Sequence, residues 1–214
     1  MLDHAATPIE TIYGSSVLHC FSFGPHEEQN ILCIVTEGYV ASGLVRVQSA
    51  CYTAEIFRSL DCDCHEQLDI SLRMIHEEGG VVAYMIADGR GAGLLTKIRG
   101  LSLGATRGLD TFDAYRELGV APDPRDYERV AEALRSLGLD RVRLLTNNPR
   151  KIEGLERHGF TVARQPLEVP PTAHSIAYLS TKRRKFGHLL ELVEGPVDFI
   201  AKFEPDGGTR AGQT

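Results

Sequence analysis

The chain of 214 residues is 43% hydrophobic and 24% charged, enough apolar material for one sizeable globular core. Its formal net charge of −6 argues against a sequence-independent nucleic-acid binder, whose affinity comes from Lys and Arg neutralising phosphates, and leaves room for a small phosphorylated ligand held by a local cluster. No apolar run approaches the ~20 residues of a membrane helix, and the opening MLDHAATPIE lacks the basic and apolar regions of a signal peptide, so the expectation is a cytoplasmic protein with neither nucleic acid nor membrane as partner.

Short apolar runs rich in β-branched residues predict strands at ILCIVT (31–36) and GLVRVQ (43–48). Cys20 and Cys33, alone in VLHCFSF and ILCIV, read as ordinary buried residues. Next comes CYTAEIFRSLDCDCHEQ (51–67), with Cys51 at the strand exit, a segment containing Ile56, Phe57 and Leu60 that turns the chain back, and Cys62 and Cys64 on an irregular loop. Leu68, Leu72 and Ile75 fall at i, i+4 and i+7 and predict a helix, followed by a strand at VVAYMIA (81–87). DGRGAGLLTKIRG (88–100) sets Gly89, Gly91 and Gly93 around Arg90, which suits close backbone approach to a ligand and an Arg fork for phosphate or carboxylate.

Leu94, Ile98 and Leu101 repeat the helical spacing with one apolar face, as do Tyr127, Val130, Ala131, Leu134 and Leu137 before Gly138. After a strand at RVRLLT (141–146), LLTNNPRKIEGLERHGF sets Asn148 as N-cap, Pro149 as first helical residue, Ile152 and Leu155 facing inward and Gly159 as the stop. The free N–H groups of that helix start would face an anion. Strands mixed with helices throughout predict a single α/β (α+β mixed) domain over 1–203, and the polar, Gly-rich tail 204–214 is expected to be disordered.

An odd cysteine count with a Cys-x-Cys pair, in a reducing compartment, points to metal binding or catalysis over a disulfide framework. Cys51, Cys62 and Cys64 can converge on one zinc ion. Structural zinc takes four protein ligands, whereas catalytic zinc commonly takes three and leaves the fourth position to water. His65 would close the site as Cys₃His, but ligation by two adjacent residues strains a tetrahedron; a site without metal is the remaining alternative.

From about Arg46 to His188 the chain resembles GTP cyclohydrolase II, through RVQSAC, CDCHEQLD, DGRGAGLLTKIR, LDTFDAYRELG, DPRDY, LLTNNPRK and YLSTKRRKFGHLL. The resemblance implies a homodimeric α/β enzyme, a mixed sheet with flanking helices, using Zn2+ and Mg2+ to hydrolyse GTP to formate, pyrophosphate and a diaminopyrimidinone ribosyl phosphate. It implies that Cys51, Cys62 and Cys64 ligate zinc, whose acidified water attacks C8 of guanine. Arg46, Gln48, Ser49 and Gln67 match positions lining the nucleotide site. Asp88, Gly89 and Arg90 match the phosphate and base region, and Thr111, Thr146 and Lys151 match further nucleotide contacts. Asp123 matches the proposed proton acceptor and Arg125 the proposed nucleophile towards the α-phosphorus. Guanidinium is essentially always protonated, so stabilising charge during pyrophosphate loss fits Arg125 equally well. Magnesium would be bound mainly through the triphosphate.

The chain departs from the family near the metal. The usual Arg-Val-His-Ser-Glu-Cys is RVQSAC, so Gln48 replaces an imidazole and cannot take a proton near pH 7, while Ala50 replaces a carboxylate. The usual Gln-Glu-Gly-Arg is Ala87-Asp88-Gly89-Arg90, and His65 stands for a glycine. Leu101 stands where riboflavin-pathway members carry a tyrosine; relatives with an apolar residue there resemble enzymes that stop after ring opening and keep the formyl group. The resulting expectation is a purine nucleotide cyclohydrolase, with or without formate release. The alternatives are a noncatalytic zinc- and nucleotide-binding regulatory protein, in which His65 closes the metal, and an enzyme that removes pyrophosphate with the base intact. KRRK (182–185) reads either as a solvated face or as a phosphate-facing cluster; His188 reads as structural, and His174, Tyr178 and the PP at 170–171 as loop and packing residues.

Overall fold

The computed structural model describes residues 1–121 and 123–193. Seven strands, β1 (Asp3–Thr11), β2 (Gly14–Ser22), β3 (Ile31–Val35), β4 (Leu44–Ser49), β5 (Val81–Met85), β6 (Arg141–Leu145) and β7 (Thr161–Gln165), form one sheet in the order β1-β2-β3-β5-β4-β6-β7. One half, β1-β2-β3-β5, pairs antiparallel and the other, β5-β4-β6-β7, pairs parallel. Eight helices accompany it among the described residues: α1 (Tyr39–Ser42), α2 (Tyr52–Glu55), α3 (Cys64–Glu78), α4 (Leu94–Arg107), α5 (Thr111–Glu117), α6 (Glu128–Ser136), α7 (Pro149–Arg157) and α8 (Ile176–Phe186).

The expected α/β class holds, with the helices on both faces of a mixed sheet. Strand alternation explains why. Val45 and Val47 of β4 pack with Val130, Leu134 and Leu155 of α6 and α7 on one face, while Leu44 joins Ile75 of α3, Val82 and Leu145 on the other. A strand buried on both faces carries few polar residues, yet β4 also buries Arg46 and Gln48 on the Leu44 side. Those two residues are the first sign of a site.

The four predicted strands are β3 to β6, each within two residues of its expected end. Asn148 caps α7, its side chain accepting from Arg150 N, with Pro149 next and Leu155 fully buried. β1, β2 and β7 had no strong sequence signal. β1 is a largely exposed edge strand containing Pro8, which an edge tolerates, and β7 is a partly exposed, mainly polar edge, so neither shows the apolar run of an interior strand.

Two expectations are corrected. Cys64 does not lie on an irregular loop but opens α3. Leu94, Ile98 and Leu101 are on α4, but they are 43%, 46% and 38% exposed, so the apolar face of this helix does not pack on the domain core. The domain end at 203 and the tail 204–214 lie outside the described residues.

Candidate active site

The parallel strands β4, β5 and β6 end together, and each hands its chain to a segment that enters one cavity, the usual place for ligands in a sheet of this kind. From β4 come Arg46, Gln48, Ser49 and Cys51; from the end of β5 come Asp88, Gly89 and Arg90; from the β6–α7 turn come Asn148 and Lys151. Cys62, Cys64 and Gln67 enter from α3 and its preceding turn, Leu101 from α4, Thr111 from α5 and Arg125 from the segment before α6. Thr146 is the exception. It is 1% exposed behind the cavity wall, and its hydroxyl accepts Asn148 N at 3.0 Å, so it shapes the turn without lining the site. Asp123 likewise is not among the lining residues, and its carboxylate is held by Arg125.

The three thiols lie within 4.8 Å of one another. Cys51 Sγ and Cys62 Sγ are 3.7 Å apart, too far for a disulfide. Zinc–thiolate bonds of ~2.3 Å in a tetrahedron give an edge of ~3.8 Å. Donor chemistry agrees with this geometry. The Cys62 and Cys64 thiols that hydrogen-bond to Cys51, together with Lys97, hold Cys51 far below its usual pKa, and the same contact with Cys51 pushes Cys62 up to about 11 and holds Cys64 well above its ordinary value. One thiolate beside two thiols is the state these shifts favour without a metal, and a multivalent cation at this spacing would let all three ligate as thiolates, so the residues present fit zinc. His65 is not part of the cluster; its ring turns to Arg58. The expected alternative in which His65 closes the site is therefore corrected, and no fourth His, Cys, Asp or Glu completes the set among the described residues.

Around the thiols the cavity is cationic. Lys97 Nζ sits 3.2 Å from Cys51 Sγ and 2.9 Å from Asp88 Oδ1; burial opposes its charge, but Cys51 and Asp88 raise its pKa above the ordinary lysine value. Asp88, 3% exposed, also accepts Tyr52 N at 2.9 Å and the Gly89 N–H. Its carboxylate is thus fully engaged in holding the turn. Gly89 has φ +60, and a Cβ there would meet Lys97 Cβ and Tyr115 Oη at 3.3 Å, so glycine is required where the backbone meets the cavity. Arg90 lies 4.0 Å over the Phe186 ring and donates to Thr111 Oγ1 at 3.3 Å.

Arg125 is gripped by Asp123 through a two-point fork, Nε to Oδ1 and Nη2 to Oδ2, both at 2.7 Å, while Nη1 donates to Ser49 Oγ at 3.3 Å. Burial opposes the charge, but Tyr127 and Asp123 raise the guanidinium pKa above its ordinary value. Lys151 is the reverse: burial, then Arg46 and Arg125, hold its ammonium well below the usual pKa, and Nζ donates to Val47 O at 2.6 Å. A nearby anion favours the charged form of such a lysine.

The GTP cyclohydrolase II family model matches residues 3–166. A GTP cyclohydrolase-2 from Hahella chejuensis is 43% identical over 87% of this chain and 91% of its own length.

The chain belongs to the GTP cyclohydrolase II family.

A GTP cyclohydrolase-2 from Archaeoglobus fulgidus is 47% identical over 73% of this chain and 41% of its own, and the riboflavin biosynthesis protein RibBA of Chlorobium phaeovibrioides is 44% identical over 85% and 45%. This chain spans less than half the length of those two relatives. No helix among the described residues is long and apolar enough to cross a membrane.

The substituted positions of this family member have definite surroundings. Gln48, 2% exposed, accepts from Arg46 Nε and Nη2 at 3.0 and 2.7 Å and donates to Glu55 Oε1 at 2.8 Å and Cys64 O at 3.2 Å. Its amide is used at both ends. Where Ala50 lacks a carboxylate, Glu55 of α2 brings one to Cys51, accepting the Cys51 N–H at 3.3 Å. Leu101 lines the cavity.

Sequence reasoning missed several lining residues. Tyr178 and Phe186 of α8 face the cavity, as does His188, so the reading of Tyr178 as a packing residue is corrected; Lys182 faces it too, in line with one of the two readings of KRRK. KRRK splits: Lys182 is buried, while Arg183, Arg184 and Lys185 are exposed. The i, i+4, i+8 spacing of residues 178, 182 and 186 was the available signal. Glu55 and Lys97 gave none.

His188 makes a testable contribution to stability. Burial, then Lys182, Lys151, Arg125 and Arg90, depress its pKa to about 2. The native imidazole thus stays neutral while the unfolded one binds a proton below its ordinary pKa of about 6.5, so the native state loses stability as pH falls below that value, by about 1.4 kcal/mol at pH 5.5. Urea unfolding at pH 7.5 and 5.5 is expected to show this loss in the native protein and its absence in His188→Gln. Equal losses in both would remove His188 as the cause.

Proposed function

We propose that this chain is a zinc-dependent cyclohydrolase acting on GTP or a closely related purine nucleotide, opening the guanine imidazole ring at C8 and releasing pyrophosphate. The observation that carries this reading is the three-thiol cluster, with no fourth protein ligand among the described residues, in one cavity with Arg46, Arg90, Arg125 and Lys151. When bound there, zinc supplies water acidic enough to serve as a nucleophile near neutral pH. The chain's own residues provide the remaining functions. Arg90, fixed against Phe186, and Lys151, whose charged form an anion favours, receive phosphates; magnesium enters with the triphosphate. Arg125 offers a fixed cation where charge develops as pyrophosphate leaves, and Asp123 holds its orientation. Thr111, which accepts from Arg90, and Ser49, which accepts from Arg125, set the direction of these two guanidinium groups.

The formyl-retaining variant is favoured by one observation: the wall residue at 101 is leucine, which has no hydroxyl to organise a water for the second hydrolysis. Mass spectrometry of the products from GTP with the zinc- and magnesium-supplied protein is expected to show pyrophosphate with a formyl-bearing pyrimidine and less than stoichiometric formate, and Leu101→Tyr is expected to raise the formate share. Equal formate and pyrophosphate from the native protein would overturn the variant; GTP returned intact by zinc-loaded protein would overturn GTP as substrate.

The relatives named for riboflavin biosynthesis support that pathway as the setting, and the need for three reduced thiols supports the cytoplasm. A homodimer is part of the same reading, supported by exposed Leu94, Leu95 and Ile98 on α4, and sedimentation equilibrium tests it.

A further inference from the structure

Asp63 stands between Cys62 and Cys64, at the N-cap of α3, where a carboxylate ordinarily accepts from the N–H groups of the first helical turn. Here it makes no such cap. One oxygen accepts Lys182 Nζ at 2.8 Å and the other accepts Gln67 Nε2 at 2.6 Å, in surroundings that leave Asp63 4% exposed. The contacts continue inward. Gln67 Oε1 accepts Arg46 Nη2 at 2.7 Å, Arg46 donates to Gln48 Oε1, and Gln48 donates to Glu55, which accepts the Cys51 N–H. A single run of side chains, buried except for the half-buried Glu55, therefore reaches Cys62 and Cys64 through the backbone of Asp63 and Cys51 through Glu55. Lys182, at its outer end, comes from α8, past the 3–166 matched by the family model and 119 residues from Asp63.

We propose that Asp63, clamped by Lys182 and Gln67, is a positioning residue for the metal-binding cysteines, which makes α8 a working part of the metal site. The proposal rests on the zinc reading above. Its physical basis is that a turn carrying two ligands on either side of one residue is held only as firmly as that residue. An Asp capping its own helix would move with the turn; an Asp tied to α8 and, through Gln67 and Arg46, to the interior strand β4 cannot. Removing either member of the buried Lys182–Asp63 pair leaves the other charge uncompensated and releases the turn. Outer partners of this kind are worth on the order of 10- to 100-fold in metal affinity.

The test uses the full chain, with zinc affinity measured by competition against a chromophoric chelator and the ligand field read from the absorption spectrum of the cobalt(II) form. Asp63→Asn, similar in shape, is expected to bind zinc about 10- to 100-fold more weakly and to shift the cobalt bands, with unchanged circular dichroism. Lys182→Gln should behave alike, Lys182→Arg should recover most of the affinity, and Lys185→Gln, on the exposed side of the same helix, should match the native protein. Native affinity and an unchanged cobalt spectrum in Asp63→Asn would overturn the proposal, and that variant decides alone should Lys182→Gln fail to fold. A native protein that binds neither zinc nor cobalt would instead overturn the zinc reading.

Discussion

Cys51→Ala is expected to lower ring opening of GTP on the order of 10³-fold or more, with bound zinc falling in parallel, because two remaining thiols do not hold the ion against water. Of the three thiols, Cys51 is the one most dependent on tertiary placement. It lies beyond the end of β4, receives Lys97 at 3.2 Å, and stands 3.7 Å from Cys62. Its removal leaves Lys97 paired with Asp88 at 2.9 Å, so the fold around it keeps its charge balance and circular dichroism should not change. Formate or formyl-pyrimidine and pyrophosphate are to be measured in the same sample. Pyrophosphate release that persists at the native rate while ring opening stops would favour the alternative reaction in which the base stays intact.

Arg125→Lys is expected to cost about 10²- to 10³-fold in kcat with a smaller change in KM, and Asp123→Asn a smaller part of the same loss. Lysine keeps the charge but not the fork. The two 2.7 Å bonds to Asp123 and the third contact to Ser49 define one orientation of a planar cation, and a lysine ammonium cannot reproduce all three directions. The raised guanidinium pKa is in keeping with the charge-stabilising role, and an experiment separates it from the nucleophilic one. In the proposed role a protonated Arg125 would stabilise charge and form no bond to phosphorus, so intact-protein mass spectrometry under turnover should show no nucleotidyl adduct. An adduct located at Arg125 would establish it as the nucleophile and overturn the electrostatic role.

The three thiols, the glycine-flanked Arg90 and the Asn148-Pro149 helix start were legible because each is a local pattern: residue types at a spacing that one turn or one strand exit brings together. The interior strands β3 to β6 and the helices α3, α6 and α7 were legible for the same reason, since their apolar periodicity is read within about four turns of chain. The α4 pattern misled. Leu94, Ile98 and Leu101 do lie on one helical face, but periodicity states only that a face exists and not what it packs against. Thr146 shows the same limit, as a residue type suited to ligand contact whose hydroxyl is instead directed to the backbone of its own turn.

The sequence by itself determined the donor chemistry of this protein, the permanent charge of Arg125, the loss of an imidazole at Gln48 and of a phenol at Leu101, and the elements that bear them. Tertiary structure decided which groups meet. Lys182 and Asp63 are 119 residues apart, and Arg125 and Ser49 are 76 apart. Only the order of strands in the sheet and the rotation of α8 about its axis place Lys182 inward while its neighbours Arg183, Arg184 and Lys185 are exposed. Propensity and periodicity act over one element, whereas a buried polar network is selected by the joint requirement that every buried donor and acceptor find a partner, and that requirement exists only once the whole chain has packed.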